Sequence, residues 1–203
     1  MTRKLPDEAP TLVGQFVTLR PLAPSDAAVT HGWRLGDRAR HLNGGAESVE
    51  DQARWIASRP KGEFNYVIEL KAKDPKDRRP IGMLSLVSID LANRRAESAR
   101  FLIGDEEAAR GVPAAVEAMS LLYELAFDRL GLERLHGVIE AGNHLMVKWQ
   151  KYLGMREEGR FRRHFLMEGQ FRDAVALSLL ADEYRAVALP RMRMLMRLGA
   201  AAA

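Results

Sequence analysis

Arg110-Gly111, directly before a segment of helical spacing that opens at Pro113, is the pair whose types and position most directly point to chemistry. A helix start presents N–H groups without intrahelical acceptors, together with the positive end of the helix dipole, and both attract anions. An arginine beside them adds charge. The same dipeptide also makes an ordinary turn, so alone it marks an anion site only weakly. His31, His41, His136, His144 and His164 are scattered and lack the spacing of metal ligands. Each reads as structural or exposed, and no metal is expected. With no cysteine in 203 residues, disulfides, thiolate metal sites and a cysteine nucleophile are excluded. A cysteine-free chain fits the cytoplasm, which is the expected location.

The elements that must position these residues follow from periodicity. Residues 1–10 are polar and Pro-containing and read as a loose arm. Thr11 to Leu22 alternates and is rich in β-formers, which predicts one strand. Ala27 to Leu35 has helical spacing, and Ser48-Val49-Glu50-Asp51 resembles a capping box opening a second helix. Strands follow at Phe64–Leu70, Pro80–Ile89 and Arg95–Ile103. From Pro113 to Leu130 the apolar residues recur every three or four positions, which predicts a helix with Gly131 as its stop. Leu135–Glu140 is a strand, Asn143 caps another helix, and Arg156–Met167 with Phe171–Leu180 forms a hairpin around Glu168-Gly169. No internal repeat or linker appears, so 11–185 reads as a single domain. Residues 186–203 read as a helical tail broken at Pro190.

The resulting order, β-α-α-β-β-β-α-β-α-β-β, resembles the GNAT acetyltransferase superfamily over roughly Leu12 to Arg185. Three blocks carry the resemblance. Ala96-Glu97-Ser98-Ala99-Arg100-Phe101-Leu102-Ile103-Gly104 is similar to the strand that precedes the superfamily's cofactor loop. Asn143 to Met155, ending in Leu153-Gly154-Met155, is similar to its Asn-x-x-Ser…Leu-Gly-Phe helix. Glu158-Gly159, Arg162 to Phe165, Glu168 to Asp173 and Leu177 to Leu180 resemble the closing hairpin of the RimJ/RimL-like branch. The resemblance implies an α/β (α+β) fold with a mixed, mostly antiparallel sheet of about seven strands and helices on both faces. It also implies an N-acetyltransferase that uses acetyl-CoA as co-substrate.

The implied cofactor site is the loop Arg110-Gly111-Val112-Pro113 with Ala114 of the following helix. In the superfamily this loop follows the pattern (Gln/Arg)-x-x-Gly-x-(Gly/Ala). Ala108 stands here at the first place and Pro113, which has no N–H, at the last. The pantetheine arm is implied to pair with the backbone of Phe101, Leu102 and Ile103, with Asn143 and Trp149 as further contacts. Asn143 also reads as a simple helix N-cap.

Acyl transfer to an ammonium needs a proton acceptor before attack. Glu97 is the implied base; its other reading is a strand-face carboxylate paired with Arg95 or Arg100. Ser88, with Ser85, is placed to hold a water. Many superfamily members carry a tyrosine acid where this chain has Gln150, which cannot protonate a thiolate. Trp33, Arg34 and His164 fall on acceptor-side elements, so they are the implied substrate contacts. The expected partner is a small-molecule or peptide amine.

A net charge of +4 is mild, and no basic stripe with interleaved aromatics suggests nucleic acid. No apolar run reaches the roughly 20 residues of a membrane span. The terminal helix alternates Met192, Met194, Leu195, Met196 and Leu198 with Arg191, Arg193 and Arg197. It reads as a surface helix or as a homodimer contact. A second functional reading stays open beside the enzymatic one: a non-catalytic GNAT-fold module that binds a ligand or partner.

Overall fold

The computed structural model describes residues 5, 6, 8–60, 62–72 and 74–201. The strands are β1 (Leu12–Val13), β2 (Val17–Pro21), β3 (Phe64–Leu70), β4 (Arg79–Asp90), β5 (Arg95–Ile103), β6 (Arg134–Glu140), β7 (Arg156–Met167) and β8 (Gln170–Leu180). The helices are α1 (Ala27–Leu35), α2 (Val49–Ala57), α3 (Ala114–Glu124), α4 (His144–Tyr152), the single turn α5 (Ala181–Glu183) and α6 (Leu189–Ala201). Wide π-helical turns extend α3 over Leu125–Arg129 and join α5 to α6 over Tyr184–Ala188.

The strands form one eight-stranded sheet in the order β1-β2-β3-β4-β5-β6-β8-β7. Every neighbouring pair is antiparallel except β5 and β6. Eight strands replace the expected seven because Thr11–Leu22 is not one strand. The chain turns back after Val13, and β1 pairs with β2 in the register Leu12↔Leu19 and Val13↔Thr18. The turn is held from a distance. The buried Glu117 carboxylate on α3 accepts the N–H groups of Gln15, Phe16 and Val17, each at 2.7 Å.

Met83 and Leu84 are neighbours on β4 yet belong to different apolar clusters, as the two faces of a strand require. Leu84 joins the main core with Met119 and Leu122 of α3. Met83 joins Leu102 and Ala39, against Trp33 of α1 and Leu42. Helices therefore cover both faces.

The ends depart from expectation. Of the arm at 1–10, residues 1–4 and 7 lie outside the described residues; Leu5 and Ala9 pack against the main core. Pro190 does not break the terminal helix. It stands at the second residue of α6, just beyond the wide turn, where the regular bonding pattern is already interrupted. The helix runs back along α3. Arg185 pairs with Asp128 near one end, Met192 is fully buried midway, and a Cβ on Gly199 would lie 2.8 Å from the Pro113 Cβ. Leu195 and Met196 also face the core, which leaves Met194 and Leu198 as the apolar surface open to a second copy.

Candidate active site

β5 and β6 pair over only three rungs, Arg95↔Arg134, Ala96↔Leu135 and Glu97↔His136. Beyond Glu97 the strands part. Ser98 to Ile103 remain bonded to β4 on one side, and Gly137 to Glu140 to β8 on the other. The inner edges of both segments thus present backbone donors and acceptors with no strand partner. A cleft of about 1000 Å³ opens there.

Two bulges shape its wall. One extra residue on β4 places Ser88 at φ 52°, and one on β5 places Arg100 at φ 56°. Left-handed backbone is uncommon at non-glycine positions and turns a side chain off the pleat. Arg100 then reaches Glu63 at 2.9 Å and Asn65 at 2.8 Å, and stacks near Trp55. Asn65 also accepts from Ser85 at 2.7 Å.

Glu97 stands at the last rung and lines the cleft. The arginines beside it are engaged elsewhere, Arg95 with Asp90 at 3.4 Å and Arg100 with Glu63. Among the described residues Glu97 makes no ion pair or hydrogen bond, so its carboxylate is not committed to a partner. Ser88, Phe101, Arg34, Asn143 and His164 also line the cleft. Asn143 does cap α4: its side chain accepts the Met146 N–H at 3.2 Å. Burial pushes the Arg34 guanidinium below its usual value, and the like charge of Arg100 adds to this.

The other anticipated residues lie off the cleft. Leu102 and Ile103 are buried in the apolar clusters, so any contact they make there uses backbone. Trp33 packs flat on Gly104, where a Cβ would meet the indole at 2.1 Å; it is filler between α1 and β5 rather than cleft wall. Trp149 is spent between the helices, its indole N–H directed at Met119 Sδ at 3.3 Å. Arg110 to Pro113 form a turn outside the cleft, with Gly111 at φ 76°. Pro113 precedes α3, whose first helical residue is Ala114. The orphan amides of the helix start, from Ala114 to Val116, are therefore untouched by the imino acid. Within the turn, the Arg110 and Val112 N–H groups already bond to Glu107 and Ala109 carbonyls, both at 3.2 Å.

Three contacts made by cleft residues were not anticipated. His41, read as scattered, bonds Glu140 at 2.7 Å across 99 residues of sequence. Burial alone would raise the Glu140 carboxyl, but the Gly142 N–H and His41 outweigh it and hold the group below the usual carboxylate range. Glu63 anchors Arg100, as above. Gln150, on α4, is buried and lines the cleft, and it accepts from Tyr123. All three depend on long-range partners, which leave no local signal.

Residues 17–156 match the acetyltransferase (GNAT) domain family. The chain belongs to that family. It is 33% identical over 178 residues to YdaF of Bacillus subtilis, named as a candidate ribosomal N-acetyltransferase, a match covering 85% of this chain and 95% of that protein. It is 28% identical over 126 residues to the spermidine N(1)-acetyltransferase of Escherichia coli. That match covers 62% of this chain and 63% of the relative, under two thirds of its length. A crystal structure of a GCN5-related N-acetyltransferase from Brucella melitensis superimposes with a TM-score of 0.78 at 25% identity, over 94% of this chain and 87% of that one.

Proposed function

We infer that this GNAT-family chain transfers the acetyl group of acetyl-CoA to a primary amine by direct attack within a ternary complex. The observation that carries the reading is the Glu97 carboxylate, unpaired among the described residues, at the rung where β5 and β6 part. The parted edges and the free amides at the start of α3 fit a pantetheine arm and a diphosphate. The ammonium gives a proton to Glu97. The neutral amine then attacks the thioester carbonyl carbon, and the C–S bond breaks.

The acceptor we favour is a small polycationic amine. Glu47, Asp51, Glu63, Glu97 and Glu140 line the cleft, against the permanent cations Arg34 and Arg100. This cluster is acidic although the chain carries a net +4. A cleft of one sign concentrates ligands of the other. A peptide N-terminus, the acceptor implied by the RimJ/RimL-like hairpin, is the competing arm of the test.

Thiol release from acetyl-CoA with spermidine, a neutral-chain amine of similar length and a short peptide decides between them. Spermidine is expected to lead in kcat/KM by roughly tenfold or more at low salt, with the lead shrinking as salt rises. A melting-temperature rise with acetyl-CoA checks binding separately. Binding without turnover on any amine would return the chain to the reading of a non-catalytic module. No binding at millimolar coenzyme would end the acetyl-CoA reading.

A further inference from the structure

Gln150 is a buried amide on the wall of the cleft, and its orientation is set from behind. Tyr123, fully buried on α3, keeps its proton because burial pushes its phenol upward. A buried phenol must place that proton in a hydrogen bond. It donates to Gln150 Oε1 at 3.0 Å. This bond distinguishes the two ends of the amide: the oxygen points to α3, and Nε2 is left with its two N–H groups. The described partner of Nε2 is Met146 Sδ at 3.9 Å, a weak acceptor at the limit of contact. Met146 and Met155 also line the cleft. A donor beside such side chains works in low-polarity surroundings, where a hydrogen bond to charge is strongest.

Resting on the acetyl-transfer reading above, we propose that Gln150 is a catalytic residue whose Nε2–H donates to the coenzyme sulfur as the C–S bond breaks. The electron pair of that bond goes to sulfur, and the acetyl carbon keeps its new bond to nitrogen. The amide stabilises the thiolate without surrendering its own proton. The proton that later neutralises sulfur is the second one the attacking nitrogen sheds as the amide forms, relayed through water. Tyr123 is a positioning residue that acts through Gln150: without its phenol the amide is free to turn its oxygen toward the sulfur, where it would repel.

The test compares the unaltered protein with Gln150→Leu, Gln150→Met and Tyr123→Phe, each first shown to melt near the unaltered temperature. Gln150→Leu is expected to lower kcat roughly 10- to 100-fold, the range of one hydrogen bond to a charged group. KM for acetyl-CoA stays within about twofold, since the donor acts on charge absent from the ground state. Tyr123→Phe lowers kcat by a smaller factor, and adding it to Gln150→Leu costs nothing more, because the two act as a unit. Gln150→Met, equal in length, reproduces the leucine result if packing is not the cause. At alkaline pH the unaltered protein should bind CoA more tightly than desulfo-CoA, and Gln150→Leu should erase the difference. Unchanged kcat in both Gln150 variants, multiplying losses in the double variant, or a preserved preference for CoA would each overturn the assignment. Failure of the unaltered protein to bind CoA would overturn the acetyl-transfer reading together with it. Binding of both coenzymes without discrimination overturns the Gln150 assignment alone.

Discussion

Glu97→Gln should leave the protein folded and lower kcat by about 100-fold or more, the range for loss of a positioned general base. The substitution keeps shape and removes only the ability to accept a proton. No ion pair among the described residues depends on Glu97, so stability should hold. The deficit should narrow as pH rises, because a growing share of the amine is then already neutral and needs no base. Steady-state thiol release across a pH series measures both effects. A kcat within about threefold of the unaltered protein at neutral pH would remove Glu97 from the chemistry and leave a water relay near Ser88 as the proton path.

Glu117→Ala should be the most damaging single change to stability, at about 3–5 kcal/mol. The carboxylate is 5% exposed and accepts three main-chain N–H groups at 2.7 Å. Each such bond to a charged acceptor is worth about 1.5–3 kcal/mol, and they do not simply add. Alanine leaves three amides at the β1–β2 turn without an acceptor and opens a hole at the start of α3. At this chain length the loss corresponds to a fall in Tm of roughly 10 °C or more. Glu117→Gln keeps one carbonyl oxygen and should fall between. Urea unfolding checks the order; an alanine variant within about 1 kcal/mol of the unaltered protein would show that water replaces the carboxylate at the turn.

The same residue shows where reading the sequence stops. Helix and strand periods located α3, α4 and the closing hairpin to within a few residues, because those patterns are local. Val13 to Val17 reads as uninterrupted strand, because the carboxylate that bends it back lies 100 to 102 residues away. Pro190 reads as a break, since a proline in a regular helix is one; the wide turn at Tyr184–Ala188 that accommodates it has no composition of its own. At the site, Glu97, Ser88, Phe101, Arg34, Asn143 and His164 were legible from resemblance and do line the cleft. Trp33 and Trp149 were not separable from wall residues, because an aromatic that fills a core and one that lines a pocket share the same spacing. The pairing of His41 with Glu140 and the fixing of Gln150 by Tyr123 are products of tertiary contact alone.

The three-rung ladder between β5 and β6 also bears on how the molecule opens. Apart from the two-rung pairing of β1 with β2 at the sheet edge, it is the thinnest seam, and everything beyond it, β6, β8 and β7, comes from one continuous stretch, residues 134–180. Neighbouring strands drawn from contiguous chain close short loops and form early. That stretch is therefore built to exchange its amide hydrogens as one cooperative block, with a protection boundary falling between Glu97 and His136. A molecule bridging the parted edges would act as a suture, and the two blocks would then exchange at more nearly equal rates.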